Sequence, residues 1–416
     1  MTKPLEATGT PATGWGRFRQ IGPGFVAAAT GVGVGDLGAS LVAGAQFGMV
    51  LLWAIVVGAI VKLAMAEGVG RYHLGAETTL LRGWRTLGSW TQWYFGIYVV
   101  VWGFVFGAAV MSTTALALHA LIPSVPFKAW AVASGIVGFL LVWFGRYRVL
   151  EKVMTALVGV MFVTVVGTAV LVAPSIPGAA TAIPGLPHGS FVYVVGLIGG
   201  VGGTITMAAY GYWLREKGWR TPRWLSVMHI DVGTAYVLTG IFVVAMLIIA
   251  AGILFQSGLK VEGEEGLLTL GNQLDQRFGT WAKVVFLIGF WATSYTSLLG
   301  VWNGVSLFFT DWVHTLRGEP EQQASDERSP WFRAYVAWLT FPPMALLFLG
   351  QPIALVIAYT VLGAIFMPFL AGTLLALLNN KRFPREFRSR WLSNVVLVLA
   401  LVLFAFLCVQ ELIGLF

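Results

Sequence analysis

Charge is what this chain has least of. Of its 416 residues, only 11% are Asp, Glu, Lys or Arg, against about 25% in an ordinary soluble domain. A soluble globule of this size needs a charged exterior, so a soluble enzyme, a nucleic-acid binder and a disordered scaffold are all excluded. Cysteine is nearly absent as well. Cys408 stands alone in an apolar run, so no internal disulfide can form, and a packed or lipid-facing thiol is expected. The chain has no P-loop, no zinc signature and no Cys/His cluster. It is therefore read as a non-enzyme with no cofactor, driven by an ion gradient or by the gradient of its own cargo. Residues 1–20 lack an apolar core and a cleavage site, so they read as a cytoplasmic N-terminal segment and not a removable signal.

What the chain does have is apolar bulk. Hydrophobic residues make up 57% of it, with 28 Phe and 18 Trp, and its mean hydropathy is +0.81. Lipid is the natural solvent for such a surface. A bilayer core takes about 20 apolar residues as helix. Stretches of that kind run near 24–45, 50–70, 91–122, 127–145, 149–173, 190–213, 227–256, 280–310, 332–350, 352–379 and 391–414. They are too long and too uniform for the alternating segments of about ten residues that build a β-barrel. The expected class is an all-α polytopic membrane protein with eleven spans and a transmembrane domain over 21–416.

Basic residues orient these spans. Of the 26 Lys and Arg, 21 fall on one set of alternating loops. Lys128, Lys260, Arg277 and Lys283 fall on the other set, and Lys62 lies inside a span. The positive-inside rule then places the N-terminus inside and the C-terminus outside, in the cytoplasmic membrane of a prokaryote. The net charge of +8 is accounted for by topology, with no nucleic-acid partner. Gly258 to Gly279, rich in acidic residues, reads as a solvated outer connector.

A coarser symmetry carries more information. The first span contains Gly31-Val32-Gly33-Val34-Gly35, and the sixth contains Gly199-Gly200-Val201-Gly202-Gly203-Thr204. Glycine inside a helix costs about 1 kcal/mol relative to alanine. Close packing of backbones would justify such clusters. So would a break at mid-membrane whose freed amides and carbonyls hold a substrate. Interrupted helices at corresponding places in two halves mark secondary transporters with repeats of inverted topology. Spans one and six open two five-span halves, about 21–173 and 190–379, with an extra helix at about 391–414. Polar residues directly after each cluster (Asp36; Thr204 and Thr206) favour breaks over packing.

Several motifs are familiar. Gly22-Pro23-Gly24-Phe25, then Gly44-Ala45-Gln46-Phe47-Gly48 and Leu51-Leu52-Trp53, resemble the first span of the Nramp family of proton-coupled divalent metal transporters. Gly145-Arg146-Tyr147-Arg148-Val149-Leu150-Glu151-Lys152 resembles the approach to that family's fifth span, Ile230-Asp231 the start of its seventh, and Met367-Pro368-Phe369 part of its tenth. The resemblance extends over nearly the whole chain and implies the LeuT-type fold, five plus five helices with an eleventh.

The family's metal-binding residues do not carry over. Where its first span has Asp-Pro-Gly-Asn, this chain has Gly33-Val34-Gly35-Asp36, and where its sixth has Met-Pro-His, this chain has Gly203-Thr204-Ile205. Gly107 and Val110 fall where the third span of the family is acidic, and Ser294 and Thr360 fall near the glutamines of the eighth and tenth. The resemblance thus implies a substrate site of Gly33, Gly35, Asp36, Gly203, Thr204, Thr206, Ser294 and Thr360, with Asp36 as metal ligand. With the thioether gone, only oxygen ligands remain, and a harder ion such as Mg²⁺ competes with Mn²⁺.

The leading expectation is a secondary transporter of divalent cations working by alternating access, with a coupling proton or other ion. The alternative is a small organic solute such as an amino acid, since a glycine-rich break and the positive end of a half-helix also hold carboxylates. A third reading is a non-transporting membrane sensor. Asp36 is the leading residue because intramembrane carboxylates are costly and usually functional. Lys62 is expected to snorkel or to pair with Glu67. Tyr210, Tyr212 and Trp213 are expected at the membrane interface, and Asp231 is expected to cap the seventh span.

Overall fold

The computed structural model describes residues 11–12, 14–145, 147–176, 184–257, 264–321, 326–349 and 352–413. Within these residues sixteen α-helices follow one another. The first two are α1 (Pro23–Gly31) and α2 (Val34–Phe47), two pieces of a single span. Then come α3 (Leu52–Ala76), α4 (Leu80–Leu87), α5 (Trp90–Leu121) and α6 (Phe127–Phe144). The fifth span is α7 (Tyr147–Met161) and α8 (Gly167–Val172), joined through a π-helical turn at Phe162–Val166. The sixth is again in two pieces, α9 (Phe191–Gly200) and α10 (Ile205–Glu216). The rest are α11 (Leu225–Ile253), α12 (Glu264–Phe278), α13 (Thr280–Leu316), α14 (Pro330–Met344), α15 (Pro352–Leu378) and α16 (Trp391–Ile413). Among the described residues, eight helical segments are long and apolar enough to cross a membrane.

The span α13 is the axis of packing. From Ala292 to Ser306 every residue on it is buried, which is possible only because neighbours surround it: α1, α5, α7, α10 and α14 all pack on it. By contrast α16 packs on α15, α3 and α9, and leaves Val395, Val398, Leu399 and Val402 exposed. An apolar face turned outward like this belongs in hydrocarbon.

The outer connector reading of residues 258–279 needs correcting. Its second part is helix α12, and Leu267, Leu270 and Leu274 are almost fully buried. Their spacing of three and four places all three on one helix face, which packs on α13 and α11. Four nearby carboxylates hid a short amphipathic pattern.

Candidate functional site

The two interrupted spans meet at their breaks. Val32 and Gly33 separate α1 from α2, and Val201 to Thr204 separate α9 from α10. Gly202 and Gly203 have φ of +80° and +81°, a region that side-chain-bearing residues rarely adopt. The breaks touch through bare backbone. A Cβ on Gly31 would lie 2.7 Å from the Gly202 carbonyl oxygen, and one on Gly203 would lie 2.9 Å from Gly31 Cα. Glycine is required there for conformation and for closeness at once.

The last carbonyls of α1 have no partners within their own helix. Hydroxyls of α13 supply them: Thr296 donates to Ala29 O and Ser297 to Thr30 O, both at 3.1 Å. Ser294 was the residue expected on this wall. Its hydroxyl instead donates to Phe290 O of its own helix at 3.1 Å. The site-facing hydroxyls are two and three residues further on. The only trace of them in the sequence is the run Thr293-Ser294-Tyr295-Thr296-Ser297 inside an apolar span.

The carbonyls of the sixth-span break are covered from the other side. Tyr236 of α11 donates to Gly202 O at 3.4 Å. Lys62 of α3 donates from Nζ to Gly203 O at 2.5 Å. Lys62 is fully buried, and its ammonium lies 5.4 Å from the centre of the Phe404 ring of α16. It neither snorkels nor pairs with Glu67, which is held by Arg71 at 3.0 Å and His229 at 3.1 Å. Thr204, just ahead of α10, and Thr206, in its first turn, carry buried hydroxyl oxygens with no hydrogen-bond partner among the described residues. Gly33 is buried, and a Cβ there would lie 2.6 Å from Ser297 Oγ. Gly35 and Asp36 lie in the first turn of α2 and Thr360 lies on α15. The side chains of Asp36 and Thr360 are outside the described residues.

In the third span, no carboxylate stands on the face toward α15. Tyr94, Tyr98, Trp102 and Phe106, each one helical turn from the next, form a stack. Tyr98 also stacks on Phe366 of α15, and Trp102 meets Tyr359. Gly107 faces the other way, where a Cβ would lie 2.4 Å from Leu339 O of α14.

The other end of α1 is built differently. Asp231 of α11 accepts the amide protons of Gly22 at 2.8 Å and Gly24 at 2.6 Å, and the Tyr210 hydroxyl at 2.8 Å. A carboxylate from another helix thus does the work of an N-cap for α1, satisfying first-turn amides and meeting the positive end of the helix. Asp231 was expected to cap its own span and does not. Gly24 sits so close that a Cβ would lie 2.4 Å from Asp231 O. Beside it, Lys217 and Glu151 pair at 2.5 Å, against Gly22.

A wider polar lattice continues across this end. Asp311 accepts from Thr79 and Tyr212 at 2.5 and 2.7 Å. Glu321 pairs with Arg215 at 2.6 Å. Asn303 joins Trp213 to Glu327, and Glu327 also accepts the Tyr147 amide. Burial pushes the Glu327 carboxyl above its ordinary range, and the Asn303 and Tyr147 donors oppose this. Tyr210, Tyr212 and Trp213 are all buried in this lattice and are not interfacial aromatics. Sequence polarity could not distinguish the two, since both need an apolar ring with a polar tip.

The family model described as "Natural resistance-associated macrophage protein-like", Nramp, matches residues 24–414. The chain belongs to the Nramp family. It is 24% identical over 334 residues to "Uncharacterized protein PM0681" of Pasteurella multocida, covering 74% of each chain. To "Uncharacterized membrane protein YcsG" of Bacillus subtilis it is 23% identical over 327 residues, covering 76% of each. Among solved structures it resembles the Eremococcus coleocola manganese transporter, with a TM-score of 0.76 at 15% identity over 99% of this chain and 90% of that one. It also resembles MhsT in complex with L-phenylalanine, with a TM-score of 0.56 at 14% identity over 92% and 98%. The two solved structures show the LeuT-type fold for this chain, and membership of the Nramp family makes it an integral membrane transporter and not an enzyme. Glu151, Asp231 and the Gly22-Pro23-Gly24 turn come from three separate stretches that suggested Nramp, and they converge on one knot.

Proposed function

We propose that this Nramp chain is a secondary transporter that carries a small organic solute bearing a carboxylate, by alternating access around the paired breaks. One observation carries the reading: a fully buried ammonium, Lys62 Nζ, lies on the Gly203 carbonyl of the sixth-span break. In its protonated form this side chain adds positive charge beside the break, which raises the cost of bringing a divalent cation there and lowers it for an anion. The rest of the lining agrees. Glycine backbone and the unpartnered Thr204 and Thr206 hydroxyls offer hydrogen bonds, and α2 and α10 turn the positive ends of half-helices toward the break. Among the described residues there is no cluster of three or more His, Cys, Asp or Glu. Met207, the sulfur nearest the break in sequence, is buried within α10. In this reading Asp36 holds the amino group of the cargo or a proton.

A second reading keeps divalent cations as cargo. It is favoured by Asp36 in the first turn of α2 and by the likeness to a protein named as a manganese transporter. The basic loops support an N-terminus inside and a C-terminus outside, which puts the knot around Asp231 on the cytoplasmic side. The chain in liposomes, challenged in turn with a panel of labelled L-amino acids, Mn²⁺ and Mg²⁺, separates the two. Uptake of an amino acid, lost in Asp36→Ala and unaffected by either metal, is expected. Metal uptake lost in Asp36→Ala, with no amino acid accumulated, overturns the first reading in favour of the second.

A further inference from the structure

We infer that Lys62 is a resident cation of the sixth-span break: its tethered ammonium fills the place where a broken helix would otherwise take up a free monovalent cation. This rests on the preceding reading only for the location of the site.

The reasoning begins with the backbone. Residues 201 to 204 leave the helical pattern; Thr204 O still accepts the Met207 amide of α10, whereas the Gly202 and Gly203 carbonyls are met by side chains of other helices. In hydrocarbon each unsatisfied group of this kind costs several kcal/mol. Transporters with discontinuous helices commonly meet that cost with a bound cation, coordinated by the unwound carbonyls. Here the structure supplies donors from the protein itself. Gly202 O receives the Tyr236 hydroxyl and Gly203 O receives the Lys62 ammonium. An ammonium is a compact point charge with three donors and no acceptor, close in these respects to a monovalent metal ion. Its delivery is specific. Lys62 reaches from α3, which packs on both α9 and α10, and the Phe404 ring lies 5.4 Å from Nζ on the side of α16. A cation over an aromatic face is favoured most where water is excluded, and Lys62 is fully buried. Gly58, one turn before Lys62, lets α3 approach α9 so closely that a Cβ there would lie 2.9 Å from Ile198 Cα. The glycine brings the lysine stem within reach of the break.

The consequence is a transporter with its counter-cation built in. Its sixth span should need no added sodium or potassium to hold its broken form. Thermal unfolding of the full chain in detergent tests this without knowledge of the cargo. The wild-type midpoint is expected to be the same in NaCl, KCl and choline chloride. Lys62→Ala is expected to lower the midpoint by several degrees, and methylammonium or Na⁺ at millimolar concentration is expected to restore at least half of that loss. Lys62→Met, which fills the space with an uncharged stem, is expected to show no such response. A wild-type midpoint that rises with Na⁺ or K⁺, or a Lys62→Ala protein indifferent to every small cation, overturns the inference. If Lys62→Ala does not fold, the wild-type cation series still decides. Failure of the amino-acid uptake experiment leaves these midpoints untouched, so the two proposals fall separately.

Discussion

The two ends of α1 solve the same problem by opposite means. At its N-terminus, a buried carboxylate from α11 takes two amides and a hydroxyl, with an ion pair beside it. At its C-terminus, the Ala29 and Thr30 carbonyls take hydroxyls, and the neighbouring break receives one ammonium and one phenol. The first end is held by charge. The second is held by hydroxyls and a single ammonium, and among the described residues it leaves two threonine hydroxyls without partners. Fully satisfied polar networks rigidify, and incompletely satisfied ones are places where a ligand or a conformational change has something to gain. The knot therefore reads as the structural anchor and the break as the working part. The motifs that resemble Nramp most closely build the anchor, and the departures from it fall at the break. Family likeness in this chain speaks for the scaffold and says little about cargo.

The comparison can be broken most severely at Asp231. Asp231→Ala leaves two amides and the Tyr210 hydroxyl buried without an acceptor, each worth about 1–3 kcal/mol. A loss of several kcal/mol is expected, seen as a large fall in the detergent unfolding midpoint or as failure to express. Asp231→Asn keeps one acceptor oxygen and should fall between that variant and wild type. A wild-type midpoint in Asp231→Ala would show that the knot anchors nothing. Gly24→Ala tests the same end sterically. Its methyl would enter backbone, 2.4 Å from Asp231 O, and overpacking of this kind costs about 1–3 kcal/mol.

The all-helical LeuT-type class was legible before the structure, because most of the expected spans are long apolar runs; the side on which each loop lies is read from Lys and Arg alone. The breaks were legible as glycine clusters for the same reason: glycine is tolerated inside a helix only where something requires it. Side-chain direction was not legible. Lys62 lies five residues from Glu67 in sequence, yet its Nζ goes to a carbonyl 141 residues away. Ser294 and Ser297 differ by one helical turn, and only the second reaches α1. Asp231 looks like a local cap in sequence and serves a helix that begins 208 residues earlier. Long-range partners of this kind depend on how helices pack, and no periodicity within one span encodes that.

A gentler test separates function from stability at the break. Thr204→Val and Thr206→Val remove hydroxyls that have no partner among the described residues, while keeping side-chain shape. Burying an unpaired polar group is unfavourable, so both variants should match or slightly exceed the wild-type unfolding midpoint. If those hydroxyls await cargo, uptake should fall about tenfold, equivalent to roughly 1.4 kcal/mol of lost binding. Uptake unchanged in both, with wild-type stability, would remove Thr204 and Thr206 from the site.

The smallest expected effect lies at the rim of the knot, in Glu327. Its carboxyl titrates above the ordinary 4.5 because burial disfavours the charge. A folded pKa above the unfolded one means that the folded protein holds its proton more tightly. The stability that this proton contributes is complete below pH 4.5. It is lost as pH rises through the raised folded value. The gap between the wild-type and Glu327→Gln midpoints, wild type minus variant, should therefore shrink as pH increases over that window and then level off. Asn303 Nδ2 and the Tyr147 amide both donate to Glu327 and favour the ionised form, so the slope should be shallow. Asn303→Ala removes one of those donors and should make it steeper. A gap that widens with pH would mean that the two donors outweigh burial, and that this rim of the lattice is held by charge like the knot beside it.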